Sequence, residues 1–306
     1  MLRYALKRIA VLPLMLLVIS AVVFLAVHIA PGDPALIILG PDLTHEAYIA
    51  LRAELGLDDP LHVQYARYLW SALHGDFGRS YHTKLFVTSE IMRALPISAS
   101  VTFLALIIAI FIGITIGIIS AVKQYSWLDT VLRVVTICGV SVPIFWLGLL
   151  LIFVFAVQLR LLPTSGVGGI QNLILPSICL GTYPVSALAR MTRSCMLEVL
   201  GKDYIMTARA KGLSEKIVMF KHALKNALIP VITVIGIQTG LMLGGAVLTE
   251  TVFALPGLGR LLIKSILTRD IPMIQGCVLT ITALFLVINL VVDILYSRID
   301  PRISHQ

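Results

Sequence analysis

The sequence predicts an all-α integral membrane protein with six transmembrane helices. Of the 306 residues, 58% are hydrophobic and only 13% are charged, whereas soluble proteins carry about 25% charged residues. The mean hydropathy is +0.96. Six long apolar runs each approach or exceed the roughly 20 residues that cross a bilayer as a helix. Because backbone polar groups find no water in lipid, we expect each run to be helical.

The six apolar runs set the order of the predicted elements. They occupy residues 9–30, 96–122, 130–158, 173–192, 227–249 and 276–297. The first run follows basic residues, as a cleaved signal peptide would, but it is longer than the roughly 7–15 apolar residues of such a peptide. We therefore predict a retained N-terminal transmembrane helix in 1–30, an extracytoplasmic segment at 31–95, and a five-helix core at 96–300 that contains a long cytoplasmic loop at 193–226.

The distribution of Lys and Arg predicts the orientation. These residues concentrate in the short N-terminus (Arg3, Lys7 and Arg8), the 123–133 connection, the 190–226 loop and the tail (Arg298 and Arg302), and the 190–226 loop alone holds eight. An excess of Lys and Arg in short loops marks the cytoplasmic side of a membrane. The segment 31–95 instead holds eight acidic and five basic residues. We expect both termini and the 190–226 loop to be cytoplasmic.

The extracytoplasmic segment is predicted to contain short helices at the outer membrane surface. ALIILG and HVQYARYLWSAL show helical spacing, and PGDP and LDDP supply turns. Tyr65, Tyr68 and Trp70 fit either the membrane interface or a small local core. Within the spans, Gly113 and Gly117 form a G-x-x-x-G motif, which allows two helices to approach closely in lipid.

Several functional classes find no support in the sequence. The net charge of +8 does not indicate nucleic-acid binding, because the basic residues lie in short loops between apolar runs. The chain has no G-x-x-x-x-G-K-[ST] motif for ATP and no H-E-x-x-H motif for zinc. We therefore expect no catalytic site, metal site or cofactor in this chain, and its four scattered cysteines are expected to be small buried residues.

Two further transport or enzyme classes remain as alternatives. An ion-driven secondary carrier usually shows deep acidic residues, whereas Arg190, Glu250 and Asp293 lie at or near the ends of spans. These three are expected to be end-of-helix or interfacial charges. An intramembrane enzyme is less well supported, because Pro163-Thr164-Ser165-Gly166 lacks the first glycine of a G-x-S-G motif.

The most informative stretch is the basic loop at 207–230, TARAKGLSEKIVMFKHALKNALIP. Its first part predicts a helix that ends at Gly212, since glycine tolerates the left-handed conformation beyond a helix end. Ser214 is placed to cap a second helix. In that helix Ile217, Phe220, Leu224 and Leu228 are predicted to form one apolar face. The spacing of the residues alone fits two interpretations equally well. The loop is either an amphipathic hairpin that lies in solvent or on anionic lipid, or an element that binds another protein.

The stretch Thr207–Pro230 resembles the cytoplasmic "EAA" loop of permease subunits of ATP-binding-cassette importers. The resemblance is closest to the branch that imports dipeptides, oligopeptides, glutathione and nickel. It continues along nearly the whole chain, through VHIAPGDPA, LGLDDPLHVQYARYLWSALHGDFGRSY and ETVFALPGLGRLLIKSILTRDIPMIQG. Gly212 matches the glycine of the EAA pattern, but Met206 and Thr207 replace its Glu and first Ala, and Pro230 lies farther from the glycine than in the pattern.

The resemblance implies the fold of a type I importer permease and a multi-pass location in a bacterial inner membrane. It implies four kinds of partner: a second, homologous permease, two ATPase subunits that bind ATP and Mg, an extracytoplasmic solute-binding protein, and membrane lipid. The residues implied to couple this chain to an ATPase are Thr207, Ala208, Arg209, Ala210, Lys211, Gly212, Leu213 and Ser214. Although nickel is among the substrates of the family, the histidines at 28, 45, 62, 74 and 82 follow no ligand spacing and are expected to be surface residues.

Overall fold

The computed structural model describes residues 2–29, 33–39, 44–166 and 168–299. Within these ranges the regular structure is helical, apart from one isolated antiparallel bridge between Arg79 and Phe86. The helices are α1 Leu2–Ile29, α2 Pro34–Leu39, α3 His45–Leu55, α4 Leu61–Leu73, α5 Val87–Val122, α6 Trp127–Ser141, α7 Ile144–Leu151, α8 Gln171–Leu200, α9 Asp203–Ala210, α10 Glu215–Ile217, α11 Lys225–Val252, α12 Leu258–Leu267 and α13 Ile271–Ile299. Two π-helical segments extend α7 and α10, at Ile152–Gln158 and Val218–Leu224.

The apolar helices confirm the predicted fold class. Five helical stretches of the described chain are long and apolar enough to cross a membrane singly: Ile9–Ile29, Val87–Val122, Gln171–Leu200, Glu215–Val252 and Ile271–Val292. A sixth span results if the bent pair Trp127–Ser141 and Ile144–Gln158 is counted as one. The stretch Glu215–Val252 joins α10, its π-helical extension and α11 into 38 continuous helical residues.

The prediction of one continuous helix over 130–158 is wrong. The chain bends there by 107° between α6 and α7. Val142 is extended, with φ −80° and ψ 125°, and Pro143 occupies the N-cap of α7. A proline disfavours helical backbone in the residue before it and supplies no N–H to the preceding turn, so the break is encoded locally.

Some predicted features fall outside the described residues. These are Pro31 and Gly32 of the PGDP turn, the side chains of Arg3, Lys7, Arg8, Asp293 and Arg298, and Arg302 of the tail.

The chain divides into two compact units. The first consists mainly of residues 99–255, and the second of 6–98 and 256–286. In the first unit α8 packs against α5, α6 and α11, and small residues set these contacts. A Cβ added to Gly113 would lie 2.8 Å from the Cβ of Leu188, so the predicted close approach at the G-x-x-x-G motif is confirmed.

Gly117→Ala is expected to destabilise the first unit. The added Cβ would lie 2.7 Å from the carbonyl oxygen of Ala189 and 2.5 Å from the Cβ of Thr192, both on α8. Overpacking of this kind costs about 1–3 kcal/mol. Thermal unfolding of the purified protein in detergent should show a lower Tm. Gly244→Ala is the matched control, because a Cβ there meets no atom within 4 Å; equal Tm values for the two variants would contradict the packing argument.

The second unit contains the predicted short helices as α2 and α4, together with α3. Thr44 caps α3 with its hydroxyl, and Gly56 ends it in the left-handed conformation. Tyr65 bonds Ser20 of α1 at 2.8 Å, and the Tyr68 ring stacks on Phe24 at 6.1 Å. Trp70 is exposed. Of the two predicted environments, Tyr65 and Tyr68 thus occupy a local core, and the location of the helices at the membrane surface stays a prediction.

The side chain of Asp270 connects two segments of the second unit, the loop at 80–82 and the turn between α12 and α13. Its buried carboxylate accepts hydrogen bonds from the hydroxyl of Ser80 and from the backbone N–H of Tyr81, the latter at 3.1 Å. Burial raises the pKa of Tyr81 to about 12, and the nearby charge of Asp270 acts in the same direction. The loop at 80–82 is therefore fixed to the turn between α12 and α13.

Candidate functional site: the hairpin at 203–224

The residues predicted for the coupling loop lie together in one helical hairpin, formed by α9, the turn at 211–214, and α10 with its π-helical extension. The last turn of α9 contains Thr207, Ala208, Arg209 and Ala210. Lys211 is the C-cap of α9, Gly212 and Leu213 form the turn, and Ser214 is the N-cap of α10. The predicted helix, glycine and second helix are therefore confirmed as local structure.

Gly212 has the left-handed backbone expected of a helix stop, with φ +75°. Its N–H donates to the carbonyl of Arg209 at 2.9 Å, and the N–H of Leu213 reaches back to the carbonyl of Ala208 at 3.4 Å. This pair of bonds is the Schellman arrangement that satisfies the last carbonyls of a helix. A Cβ added at Gly212 would meet nothing within 4 Å. The need for glycine is therefore conformational rather than steric.

An ion pair closes the turn. The guanidinium of Arg209 donates to both carboxylate oxygens of Glu215, at 2.8 Å from Nε and 3.3 Å from Nη2. The two side chains connect the end of α9 with the start of α10. Ser214 occupies the predicted N-cap position, although its hydroxyl makes no capping hydrogen bond. The geometry of the hairpin is thus set by Gly212 and by the Arg209–Glu215 pair.

The inner side of the hairpin packs into a hydrophobic cluster of the first unit. Ile205 and Ala208 of α9 are buried there with Val218, Ala223 and Ala227. Met196 and Cys195 near the end of α8 belong to the same cluster. Ala208 therefore faces inward and anchors α9, while the other seven predicted coupling residues are exposed.

The predicted apolar face of the second helix is wrong for Ile217 and Phe220, whereas Leu224 and Leu228 pack against hydrophobic clusters of the first unit. Phe220 is 63% exposed and Ile217 is 43% exposed, whereas Val218 and Ala223 are fully buried. The cause is the π-helical segment Val218–Leu224, in which hydrogen bonds run from i to i+5 rather than from i to i+4. Residues five positions apart then share a face, which places Val218 and Ala223 against the cluster.

The outer surface of the hairpin combines apolar and basic groups. Met206, Leu213, Ile217 and Phe220 are exposed large side chains, and Lys211, Lys216 and Lys221 are exposed with them. Large apolar side chains gathered on a surface and surrounded by charge commonly mark a protein contact site.

A buried ion pair next to the hairpin was missed by the sequence argument. The carboxylate of Asp129, at the start of α6, is fully buried and accepts from Arg193 of α8 at 2.9 Å (Nε) and 2.8 Å (Nη2). Ser120, near the end of α5, donates its hydroxyl to the same carboxylate, and the N–H of Tyr125 does so at 3.2 Å. Three helices are thereby joined at one point. The sequence signal that could have indicated this ion pair is Asp129 itself, an acidic residue at the start of the apolar run 130–158.

The described residues show no metal site of three or more His, Cys, Asp or Glu side chains. His28 interacts with the carbonyl of Phe24 at 2.7 Å and with Gln64 at 3.2 Å. His74 interacts with the carbonyl of Trp70 at 2.8 Å. Glu250 lies near the end of α11, the position predicted for it, and its side chain is fully buried.

Comparison with known proteins identifies the family. A family model described as "Binding-protein-dependent transport system inner membrane component" matches residues 113–305, and a second, for the N-terminal part of such components, matches 1–102. The chain is 46% identical to a glutathione transport system permease protein of Salmonella paratyphi A, with all of both chains covered. It is 44% identical to a dipeptide transport system permease protein of Alkalihalophilus pseudofirmus, again with full coverage of both.

A solved structure supports the fold. A chain of the MetNI methionine ABC transporter in an inward-facing conformation matches with a TM-score of 0.57 and 18% sequence identity, over 69% of this chain and 96% of that one. At this identity the likeness concerns the fold alone. Together with the family models and the two relatives, it confirms the resemblance found in the sequence. The chain belongs to the inner membrane components of binding-protein-dependent transport systems.

Proposed function

We propose that this protein is a permease subunit of an ATP-driven importer of dipeptides, oligopeptides or related small solutes such as glutathione or nickel complexes. The relatives with full-length coverage are named for dipeptide and glutathione transport. The proposed location is a bacterial inner membrane, with both termini and the hairpin cytoplasmic and the segment 31–95 extracytoplasmic. A second, homologous permease completes the translocation path, and a solute-binding protein delivers the substrate from outside.

The hairpin is the proposed site of coupling to an ATPase subunit. Its inner side is anchored by Ile205 and Ala208, and its outer side exposes Met206, Leu213 and Phe220. A groove on an ATPase that receives this surface in one nucleotide state and releases it in another would bias the permease between two conformations. The continuous helix Glu215–Val252 is the observation that carries this proposal, because displacement of its first turn must move residues inside the membrane.

ATP chemistry is assigned to the partners. The chain lacks a phosphate-binding glycine loop, so two ATPase subunits are proposed to bind ATP and Mg, and this chain holds no cofactor of its own. The exposed lysines of the hairpin would add electrostatic complementarity to an acidic groove rim.

Reconstitution tests the proposed function against the alternative of an ion-driven carrier. The complete transporter in proteoliposomes is expected to accumulate tri-alanine or glutathione only with ATP on the ATPase side, in the absence of any ion gradient. The purified chain alone is expected to hydrolyse no ATP. Uptake driven by a proton or sodium gradient without ATP, or hydrolysis by the isolated chain, would contradict the proposal.

A further inference from the structure

The first unit contains a cavity of about 490 Å³ between the bend of α6 and α7, the middle of α8, and the middle of α11. Its volume lies within the range of small-molecule sites, about 300–1,000 Å³. Its walls are mainly apolar, and they include Pro143, Leu180, Pro184, Gln238 and Met242. Tyr183 and Leu241, which also line it, are partly exposed, so the cavity is open on one side.

Gln238 is the polar side chain of α11 in this wall. It lies at the centre of the 28-residue helix Lys225–Val252, about 20 Å from either end. The residue is only 7% exposed, and its side-chain carbonyl oxygen is buried and has no hydrogen-bond partner among the described residues. Leaving such a group unpaired costs about 1–3 kcal/mol. Polar residues deep in membrane segments commonly mark a substrate path.

The backbone around the cavity offers further acceptors. In an α-helix each N–H donates to the carbonyl four residues earlier, and proline has no N–H. Pro184 therefore leaves the carbonyl of Leu180 without its helical donor, and Pro143 does the same for Gly139. All four residues line the cavity. A ligand that satisfies these acceptors must supply hydrogen-bond donors, such as the N–H groups of a peptide, which an acyl chain of a lipid lacks.

We infer that this cavity is a substrate subsite for a peptide backbone, in which the amide of Gln238 hydrogen-bonds a peptide group. A primary amide offers one acceptor and N–H donors, so it can pair with both the N–H and the C=O of a peptide bond. The inference rests on the proposed function, because that function supplies peptides as the substrate class. Beyond the proposed function, the inference names the amide of Gln238 as the group that binds the substrate inside the membrane.

The subsite is connected to the hairpin through one helix. Glu215 and Gln238 belong to the continuous stretch Glu215–Val252, and 23 residues of helix separate them by about 35 Å. A displacement of the hairpin would therefore reach the subsite along a single helix and change the alignment of Gln238 with its ligand.

Native Cys179 allows a binding test that does not depend on ATP. Its thiol lies in the cavity wall and donates to the carbonyl of Ile144 at 3.3 Å. In the complete transporter, tri-alanine, which has no thiol to consume the reagent, is expected to slow alkylation of Cys179 by N-ethylmaleimide, as measured by mass spectrometry. Gln238→Leu should abolish this protection. Protection that is equal in the wild type and the variant, or absent in the wild type, would overturn the subsite whether or not ATP drives uptake.

Transport and stability of the same variant provide the second readout. Gln238→Leu is expected to lower ATP-driven uptake of tri-alanine about tenfold, the effect of one or two lost hydrogen bonds, while the Tm stays equal or rises because an unpaired polar group is removed. The matched control is Thr239→Val, since buried Thr239 donates to Ile235 of its own helix at 2.7 Å. Its uptake should stay within about twofold of the wild type. A Tm that falls together with uptake in Gln238→Leu would assign Gln238 to packing and contradict the inference.

Discussion

Replacing Gly212 by valine is expected to lower ATP-driven uptake about tenfold or more, because the left-handed backbone costs an L-residue about 1–2 kcal/mol and is worse for a β-branched one. Gly212 has φ +75°, and its turn fixes the angle between α9 and α10. A turn that relaxes to negative φ would change the direction of α9 relative to the proposed ATPase partner. ATPase stimulation by substrate should fall in parallel, while membrane insertion stays normal, since the apolar spans are unaltered.

The control for this substitution is Gly201→Val, at the other end of α9. Gly201 is exposed and has φ −84°, and the nearest neighbouring atom to an added Cβ is 3.7 Å away. Uptake by this variant should remain within about twofold of the wild type. If Gly212→Val transports as well as Gly201→Val, the hairpin geometry has no role in coupling.

Removing the buried carboxylate in Asp129→Ala is expected to give the largest loss of stability. It leaves the guanidinium of Arg193, which is 21% exposed, without its bidentate partner. Breaking a fully buried pair costs about 3–5 kcal/mol, and we expect about 2–3 kcal/mol here because Arg193 keeps some contact with solvent. The loss should appear as a Tm several degrees lower for the purified protein.

Two further variants separate the ion pair from general damage. The double variant Asp129→Leu with Arg193→Met should recover much of the lost stability, because no buried charge is then left unpaired. Arg133, whose Nε lies 3.5 Å from the same carboxylate, is 47% exposed and stays in contact with solvent. Glu198→Ala removes an exposed partner of Lys202, 3.2 Å away, and should cost less than about 1 kcal/mol. A double variant less stable than Asp129→Ala would contradict the account.

The membrane fold could be predicted from the sequence because the hydrophobic signal is strong and acts over whole helices. The break at Val142 and Pro143 had a local signal in the proline, but an apolar run that continues on both sides concealed it. The helix stop at Gly212 was also predictable, since left-handed glycine termination depends on residues close in sequence.

Other features depend on contacts that the sequence does not display. The apolar face of the second hairpin helix was assigned with a period of 3.6, whereas the π-helical segment Val218–Leu224 shifts Phe220 outward. Asp129 and Arg193 are 64 positions apart, so their pairing emerges only from the packing of α6 on α8. Gln238 is visible as the one amide side chain in the apolar run 227–249, but the cavity beside it requires three elements to be placed together.

Cross-linking between the hairpin and an ATPase tests the central claim most directly. A single cysteine would be introduced as Met206→Cys or Ala210→Cys, both exposed on α9, in a background where exposed Cys138 is replaced by serine. Trp70→Cys on α4, also exposed, serves as the control on the proposed opposite side of the membrane. With nucleotide bound, a short bis-maleimide should link either hairpin cysteine to an ATPase subunit and should not link the cysteine at position 70. Links from position 70 alone, or none from the hairpin in any nucleotide state, would contradict the account.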